Sequence, residues 1–279
     1  MAGYDLAGKV VVVTGSGRHE GLGQGILQRF ADEGCRCVVS DIGTPREHMG
    51  ESDIGTTDEM EEVAGELRTR GAEAIAVPCD VTQERQVVEL MAAATDAFGH
   101  IDILVNNAGI GYIMKPLTDV SQSEWEAVLG VNLMGAFLAT KHAALRMIDR
   151  GLGGRVINIA SQAAKSGFPH MAPYTASKHG MIGLTRSNAI ELGKHGITVN
   201  AVCPNHVTTG LGAKQNDYFS KLLGFSSVGD YLDNMAERNP MGRPGYVTDT
   251  AAACAFLASD EAFYITGEAL NVSGGEEMH

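Results

Sequence analysis

Short apolar runs recur along the chain with the character of strands that are buried on both faces. The first, Lys9 to Thr14, contains four consecutive valines, Val10 to Val13. A continuous apolar run of this kind is typical of a parallel strand that helices cover on both sides. Further runs predict strands at residues 36–41, 74–77, 103–106, 156–159, 198–203 and 269–272. We therefore predict a mostly parallel sheet.

Amphipathic helical patterns separate these strands. One helix is predicted from apolar residues at helical spacing, with Thr82 as its cap: Val87, Leu90, Met91, Ala94 and Phe98. Another is predicted to begin at a capping box formed by Ser123 and Glu126. Alternating βα units predict an α/β fold in which a doubly wound sheet carries helices on both faces. Its ligand crevice is expected at the carboxyl ends of the strands.

We predict a single domain over residues 1–279, with two segments that depart from the βα alternation. Residues of about 43–57 form an inserted loop after the second strand. Residues of about 210–240 mix apolar and polar positions at helical spacing, which predicts an amphipathic lid over the crevice. Ordinary packing within the fold is the alternative explanation for the apolar residues of the lid.

The charge and composition of the chain limit the kinds of molecule that it is expected to bind. The formal net charge is −13 and no run of Lys or Arg stands out, which argues against nucleic acid and anionic membranes. The first residues lack the basic and apolar segments of a leader, and no apolar stretch approaches the ~20 residues of a membrane span. We expect a soluble cytoplasmic protein with a small-molecule partner.

Cysteine and histidine spacing gives no support for a metal site. The five cysteines form no CxxC pair and most fall in or beside strand-like runs, which predicts buried free thiols: Cys35, Cys37, Cys79, Cys203 and Cys254. The nine histidines include no HExxH motif and no Cys/His cluster. We expect catalysis without a metal ion.

A glycine-rich loop after the first strand predicts a nucleotide site. Glycines in such a loop let backbone amides approach a pyrophosphate at the start of the following helix, and the residues concerned are Gly15, Gly21, Leu22 and Gly23. Asp41 ends the second strand, eighteen residues past Gly23, where a carboxylate accepts hydrogen bonds from the adenosine ribose. The same carboxylate opposes a 2′-phosphate, so NAD is favoured over NADP. Arg18, His19 and Arg46 are the counter-argument, because a loop arginine could reach that phosphate.

Polar residues after the third and fourth strands extend this site. Asp80, followed by Val81, is predicted either to bond the adenine amino group or to cap a helix. Asn107 and Gly109 lie in the run 106–109, where small residues leave room for a cofactor and asparagine amides can join neighbouring strands. A plain turn is the alternative for that run.

Three residues predict a proton-transfer site. Tyr174 and Lys178 are four residues apart on one predicted helix, so their side chains lie one above the other. A neighbouring cation favours the phenolate, which brings a tyrosine toward acid–base work near neutral pH. Ser161 is placed to hold the substrate oxygen. Asn132, a poor helix former in mid-helix, predicts a local distortion or a buried water site, and we interpret it as binding a water toward Lys178. An asparagine on a solvated helix face is the alternative.

In the order and spacing of these motifs the chain resembles the short-chain dehydrogenase/reductase family from Lys9 to Gly275. The resemblance implies a Rossmann-type fold and Tyr174 as general acid/base. It implies that Ser161 positions the carbonyl or hydroxyl, while Lys178 lowers the tyrosine pKa and holds the nicotinamide ribose. Asn132 would complete a proton relay. The usual assembly is a tetramer, with a dimer as the alternative, and the residues expected to meet the nicotinamide carboxamide are Val207 and Thr209.

The chain departs from the family pattern in its glycine loop, its inserted loop and one pocket residue. Five residues separate Gly15 from Gly21, where three are common, so the extra backbone could form a flap over the adenosine half. Asn205 replaces the glycine usual after Pro204, and could contact substrate or satisfy a turn. The substrate pocket is predicted from the lid together with Tyr112, Gln162, His170, Asn205 and His206.

These features together predict an NAD-dependent oxidoreductase that interconverts a secondary alcohol and a ketone. The polar pocket residues favour a hydroxylated substrate of the sugar or polyol kind, including anionic derivatives. The alternatives are an NADP-dependent reductase of ketoacyl chains, cyclic ketones or steroids, and a member that retains NAD and passes electrons to an external acceptor. A sensor that binds dinucleotide without catalysis is the alternative of another class, and such proteins tend to lose the tyrosine–lysine pair.

Overall fold

In a computed structural model, described for residues 3–45, 54–111, 113–207 and 209–278, the chain folds around one parallel sheet. Its order is β3-β2-β1-β4-β5-β6-β7, and every neighbouring pair is parallel. The strands are β1 Val10–Thr14, β2 Arg36–Asp41, β3 Ala74–Pro78, β4 Ile103–Asn106, β5 Gly154–Ile159, β6 Ile197–Pro204 and β7 Ala269–Val272. The predicted doubly wound α/β class is confirmed, and all seven strands lie where the apolar runs placed them.

Helices cover both faces of the sheet. They are α1 Leu22–Asp32, α2 Thr57–Thr69, α3 Glu84–Phe98, α4 Gln122–Leu129, α5 Gly135–Arg150, α6 Ala172–Leu192, α7 Gly210–Leu222, α8 Val228–Arg238 and α9 Val247–Ala258. Val11 and Val13 of β1 pack with residues of α1, α2 and α9, whereas Val12 packs with residues of α3 and α5. The valine run is continuous because each face of β1 is covered by its own layer.

Two predicted helix caps are wrong. The capping box before α4 is formed by Ser121 and Glu124, two residues earlier than predicted from Ser123 and Glu126. Both pairs have the required spacing, so the pattern alone did not fix the register. Helix α3 begins after Gln83, and the hydroxyl of Thr82 donates instead to the Asp80 carboxylate at 2.8 Å.

The helical run from Gln122 to Arg150 is long and apolar enough to cross a membrane, with a mean hydropathy of 1.3 over its most apolar 18 residues. No apolar stretch of that length was predicted from the sequence. Half of this most apolar stretch of the helical run is nevertheless buried inside the fold. Leu138, Ala143 and Met147 pack against the core on the side of α3. Coverage of the sheet therefore accounts for the apolar character of this run.

The inserted loop and the lid both lie beside the carboxyl ends of the strands. Gly43 and Thr56 pair through a backbone bridge, which brings the two ends of the insertion together. Arg46 belongs to the part of the insertion outside the described residues. The lid segment forms two helices, α7 and α8. All five cysteines are buried and free, as predicted.

Candidate active site

A cleft of about 430 Å³ opens at the carboxyl ends of the strands and brings together most of the predicted site residues. The predicted residues that line it are Gly15, Gly21, Leu22, Asp41, Asp80, Val81, Asn107, Gly109, Ser161, Gln162, Tyr174, Lys178, Asn205, His206, Val207 and Thr209. Three other predicted residues, Gly23, Asn132 and His170, lie outside this lining. Tyr112 lies outside the described residues.

The glycine loop leaves no room for side chains. Gly15 has φ of +64°, a left-handed conformation that favours glycine. A Cβ added at Gly23 would lie 2.5 Å from the carbonyl oxygen of Gly15. The Asn107 amide donates to the carbonyl oxygens of Thr14 and Gly15 at 3.0 and 2.7 Å, so the loop after β4 fixes the turn after β1. Gly23 therefore acts on the cleft by holding the shape of the turn.

The two extra residues of the glycine loop dock the loop onto α2. The backbone N–H of His19 donates to the Glu59 carboxylate at 2.8 Å, and its ring lies 3.2 Å from a carboxylate oxygen of Glu62. Gln24 at the start of α1 also donates to Glu66 at 2.8 Å. The extension thus packs against α2 beside the end of β2, and its Arg18 lines the cleft itself.

The Asp41 carboxylate faces this loop. It accepts hydrogen bonds from the backbone N–H groups of Gly17 and Ile42, at 3.1 and 2.9 Å. Burial raises the pKa of Asp41, while hydrogen bonds from Ile42, Gly55 and Gly17 and the charge of Arg18 oppose that rise. An acceptor group therefore lies at the end of β2, with a cation of the extended loop near it.

Asp80 closes a turn at the start of the α3 connection. Its Oδ1 accepts from the backbone N–H and the hydroxyl of Thr82, at 2.9 and 2.8 Å. The N-cap of α3 is Gln83, so Asp80 does not cap that helix. Asp80 does line the cleft. Its contact with the adenine amino group stays a prediction.

Asn132 lies in a π-helical turn, Gly130–Met134, between α4 and α5. This is the distortion predicted from an asparagine in mid-helix. Its side chain is fully buried, accepts from the Ile110 N–H at 2.8 Å and donates to the Ser177 hydroxyl at 3.0 Å. A Cβ added at Gly109 would lie 3.3 Å from Asn132 Oδ1 and 3.7 Å from Lys178 Nζ. The Asn132 amide oxygen and the Lys178 ammonium therefore lie near the same point of the cleft. A water that bridges these two groups is predicted there.

Ser161 and Tyr174 belong to different elements but line the same cleft, where the Ser161 hydroxyl acts to lower the pKa of Tyr174. Ser161 follows β5 and caps a short 3₁₀ turn by accepting from the Ala163 N–H at 3.1 Å. Tyr174 is in the first turn of α6. A Cβ added at Gly111 would lie 2.8 Å from the tyrosine ring, so this glycine leaves the room that the ring occupies. The predicted serine–tyrosine pair is thus assembled from β5 and α6.

Lys178 lies one turn after Tyr174, with its Nζ 5.6 Å from the centroid of the tyrosine ring. Its ammonium donates to the carbonyl oxygen of Ile159 at 2.7 Å. Burial lowers the pKa of Lys178 from 10.5 to about 8, and burial also raises the pKa of Tyr174, against the hydrogen bond from Ser161. In the protein alone, burial raises the pKa of the Tyr174 phenol more than its polar neighbours lower it. The predicted lowering of this pKa by Lys178 therefore stays a prediction.

The predicted substrate residues separate into two groups. Gln162, Asn205 and His206 line the cleft, and burial lowers the pKa of His206, which favours its neutral ring. His170 is turned instead toward the lid, where its Nδ1 lies 2.7 Å from the hydroxyl of Tyr218 on α7. His170 has φ of +61°, which few residues other than glycine adopt. It therefore joins the lid to the loop before α6.

Sequence reasoning missed the acidic pair at the C-terminus. Glu276 lines the cleft, and its carboxylate accepts from the Asn205 amide at 3.1 Å. Glu277 accepts from the Gln162 amide at 3.3 Å and from the Ser166 hydroxyl at 2.5 Å. Two glutamates after a glycine pair look like an exposed tail, and no local pattern reveals that the tail folds back over the substrate end.

The arrangement fits a dinucleotide with its reactive end beside Tyr174. The restricted glycine turn, the Asp41 acceptor and the buried Lys178 ammonium line one cleft, and they suit the pyrophosphate, the adenosine ribose and the nicotinamide ribose of a dinucleotide in turn. Within the described residues no three His, Cys, Asp or Glu side chains converge as metal ligands. The polar groups that meet at the Tyr174 end of the cleft are the Ser161 hydroxyl, the Tyr174 phenol and the Lys178 ammonium.

Comparison with known proteins identifies similar chains over almost the whole length. The family model described as enoyl-(acyl carrier protein) reductase matches residues 15–277. A 3-oxoacyl-acyl-carrier-protein reductase of Staphylococcus epidermidis is 35% identical, covering 97% of this chain and 99% of the relative. The structure of an NAD⁺-bound xylitol dehydrogenase is 31% identical with a TM-score of 0.87, covering 97% and 99% of the two chains. That of a Mycobacterium avium carveol dehydrogenase in complex with NAD is 29% identical with a TM-score of 0.91, covering 98% and 99%.

Proposed function

Because the chain belongs to the short-chain dehydrogenase/reductase family and is an oxidoreductase of CH–OH groups, we propose that it interconverts a secondary alcohol and a ketone with NAD. The single observation that carries the proposal is the assembly of Ser161, Tyr174 and Lys178 in the cleft that Asp41 also lines. Hydroxyl, phenol and ammonium groups at one end of a dinucleotide cleft suit proton transfer coupled to hydride transfer.

The side chains divide the work on the alcohol between them. Ser161 accepts or donates a hydrogen bond at the substrate oxygen and orients it toward Tyr174. The tyrosine oxygen removes the hydroxyl proton in oxidation and returns it in reduction. The Lys178 ammonium keeps positive charge near that oxygen, which favours the anionic phenolate in a buried site. NAD, when bound, supplies the acceptor for the hydride.

The choice of NAD over NADP rests on Asp41. A 2′-phosphate would place like charge against this carboxylate, whereas ribose hydroxyls can donate to it. The two NAD-bound structures with similar folds support the same choice. Arg18 in the cleft lining is the feature that would favour NADP, so the balance between these two side chains sets the specificity.

An Asp41→Asn variant is expected to lose preference for NAD. Asparagine keeps an acceptor for the Gly17 N–H, which bonds the carboxylate at 3.1 Å, but removes the charge. A hydrogen bond to a charged acceptor contributes about 1.5–3 kcal/mol, so the ratio of kcat/KM for NAD to that for NADP should fall at least about tenfold. The matched control is Asp32→Asn on α1, an exposed aspartate distant from the cleft lining. An unchanged ratio in the Asp41 variant would contradict the assignment.

For the substrate, we propose a secondary alcohol that carries further hydroxyl groups. The lid contributes the apolar side chains of Phe219, Leu223 and Met235 to the cleft, while Asn205 and His206 contribute polar groups to it. A substrate with an apolar face and polar groups at one end matches this division, and polyols and cyclic diols both have that character. Similarity to a xylitol dehydrogenase supports the polyol class.

The test of this proposal is nicotinamide absorbance with NAD or NADP and a panel of secondary alcohols. The panel contains polyols, sugar acids, cyclic diols, steroids and simple cyclic alcohols. Reduction of NAD by at least one alcohol class supports the proposed reaction. Binding of NAD without its reduction by any of them would shift the assignment to an external electron acceptor or a sensor.

We also propose that the protein assembles into a homodimer or homotetramer. Met134, Phe137 and Leu145 lie on one side of the α5 region and are 51%, 42% and 55% exposed. Large apolar groups aligned on an exposed helix face are typical of a subunit interface. Light scattering should therefore give two or four times the 29.4 kDa of the chain. Phe137→Glu should yield smaller species, whereas a monomeric wild type at assay concentration would refute the assembly.

A further inference from the structure

The C-terminal segment folds back to form one wall of the substrate end of the cleft. Glu277 is 8% exposed, and its carboxylate accepts from Gln162 and Ser166. Its backbone carbonyl accepts from the Asn271 amide and the Ser273 hydroxyl, both at 3.0 Å. These bonds hold the tail from both its side chain and its main chain. The adjacent residue, Glu276, is thereby fixed in position at the cleft.

Glu276 presents its carboxylate within a polar corner of the cleft. The side chain is 12% exposed, and its Oε2 accepts from the Asn205 amide at 3.1 Å. Its Oε1 lies 3.4 Å from the guanidinium of Arg238 on α8, whose side chain is 65% exposed. Such a long, solvent-exposed ion pair contributes little free energy to the stability of the fold. A carboxylate has about four lone-pair sites, so Glu276 retains capacity for donors from a ligand.

Two buried polar atoms of residues in the cleft lining lack hydrogen-bond partners in the protein. They are Oδ1 of Asn205 and Nε2 of His206, both of residues that line the cleft. Unsatisfied buried polar atoms are costly and usually mark a position that a ligand or water completes. The corner therefore presents the Glu276 carboxylate to the cleft, held on one side by the Asn205 amide.

We infer that Glu276 is a specificity-determining residue that accepts a hydrogen bond from a second hydroxyl of the substrate, away from the carbon that is oxidised. The inference rests on the proposed alcohol dehydrogenase function and narrows its substrate class to diols and polyols without a negative charge. A carboxylate in the pocket repels an anionic substrate, so sugar acids are disfavoured. Glu277 acts on Glu276 as a positioning residue.

The test compares cyclohexanediol with cyclohexanol, which lacks the second hydroxyl, using NAD and three forms of the protein. Glu276→Gln keeps the shape and the bond to Asn205 but weakens the acceptor. We expect kcat/KM for the diol to fall about tenfold, mainly through KM, while kcat/KM for cyclohexanol stays within about twofold. The control variant is Glu268→Gln, which removes the same charge at an exposed position outside the cleft lining. It should change kcat/KM for neither alcohol.

An equal loss on both alcohols would show a merely structural role for Glu276 and overturn the inference. Equal kcat/KM values in Glu276→Gln and wild type for the diol would also overturn it. If the wild type oxidises cyclohexanol but not the diol, the substrate class is wrong although the proposed reaction stands. Failure of the whole alcohol panel with NAD would refute the proposed reaction itself.

Discussion

A Tyr174→Phe variant is expected to lose activity by about a hundredfold to ten-thousandfold, the range that a general acid/base contributes. Phenylalanine retains the ring that packs against Gly111, so the fold and the cofactor end of the cleft should be unaffected. The dissociation constant for NAD, measured by titration, should stay within about threefold of the wild type, since the tyrosine hydroxyl provides one hydrogen bond at most. The loss should appear in kcat, because proton transfer occurs only in the reacting complex.

The matched control for Tyr174→Phe is Tyr4→Phe. Tyr4 packs with Phe256, with ring centroids 6.2 Å apart, and is outside the cleft lining. Removal of its hydroxyl should leave kcat and KM unchanged. Residual activity of Tyr174→Phe above about a tenth of the wild-type rate would contradict the assignment of Tyr174 as the acid/base.

A Lys178→Met variant is expected to be more stable than the wild type at neutral pH and nearly inactive. Lys178 is 4% exposed, and burial lowers its pKa from 10.5 to about 8. Keeping the buried ammonium charged therefore costs about 3 kcal/mol. Methionine removes that cost but also removes the bond to Ile159, which contributes about 1 kcal/mol. The free energy of unfolding should rise by about 2 kcal/mol, while loss of the charge lowers kcat at least about a hundredfold.

The pH dependence of that stability gain has a definite sign. Between pH 8 and 10.5 the unfolded wild type binds more protons than the folded one, so wild-type stability rises with pH in this window. The advantage of Lys178→Met should be full below about pH 8 and decline toward 10.5. Urea unfolding of both proteins across this range measures it. Lys165→Met is the control, because its ammonium also donates to a backbone carbonyl, at 2.7 Å, from a less buried position. A less stable Lys178→Met at neutral pH would contradict this account.

The fold, and the meeting of the glycine turn, Asp41, Ser161, Tyr174 and Lys178 in one cleft, could be predicted because their signals are local. Apolar runs locate strands, since a strand between two helix layers has no polar face to interrupt the run. The glycine turn, Asp41, Ser161 and the Tyr174–Lys178 spacing each depend on a few adjacent residues and the ends of strands. The π-turn at Asn132 could also be anticipated, because a buried asparagine requires partners that a regular helix does not provide.

The substrate end was less predictable because it is built from contacts between distant parts of the chain. Glu277 meets Gln162 across 115 residues, and His170 meets Tyr218 across 48. Neither contact leaves a periodic or short-range pattern. The register of the cap before α4 failed for a different reason, since two overlapping Ser-x-x-Glu pairs satisfy the same rule and packing selects between them.

The most direct test of the central claim is to measure ketone and NADH together, with NAD and a secondary diol as the only reactants. The wild type should form equal amounts of ketone and NADH, and Tyr174→Phe should form both at least about a hundredfold more slowly although that variant still binds NAD. Ketone formation at an undiminished rate by Tyr174→Phe would contradict proton transfer through this tyrosine. Bound NAD that no secondary alcohol reduces would contradict the proposed reaction.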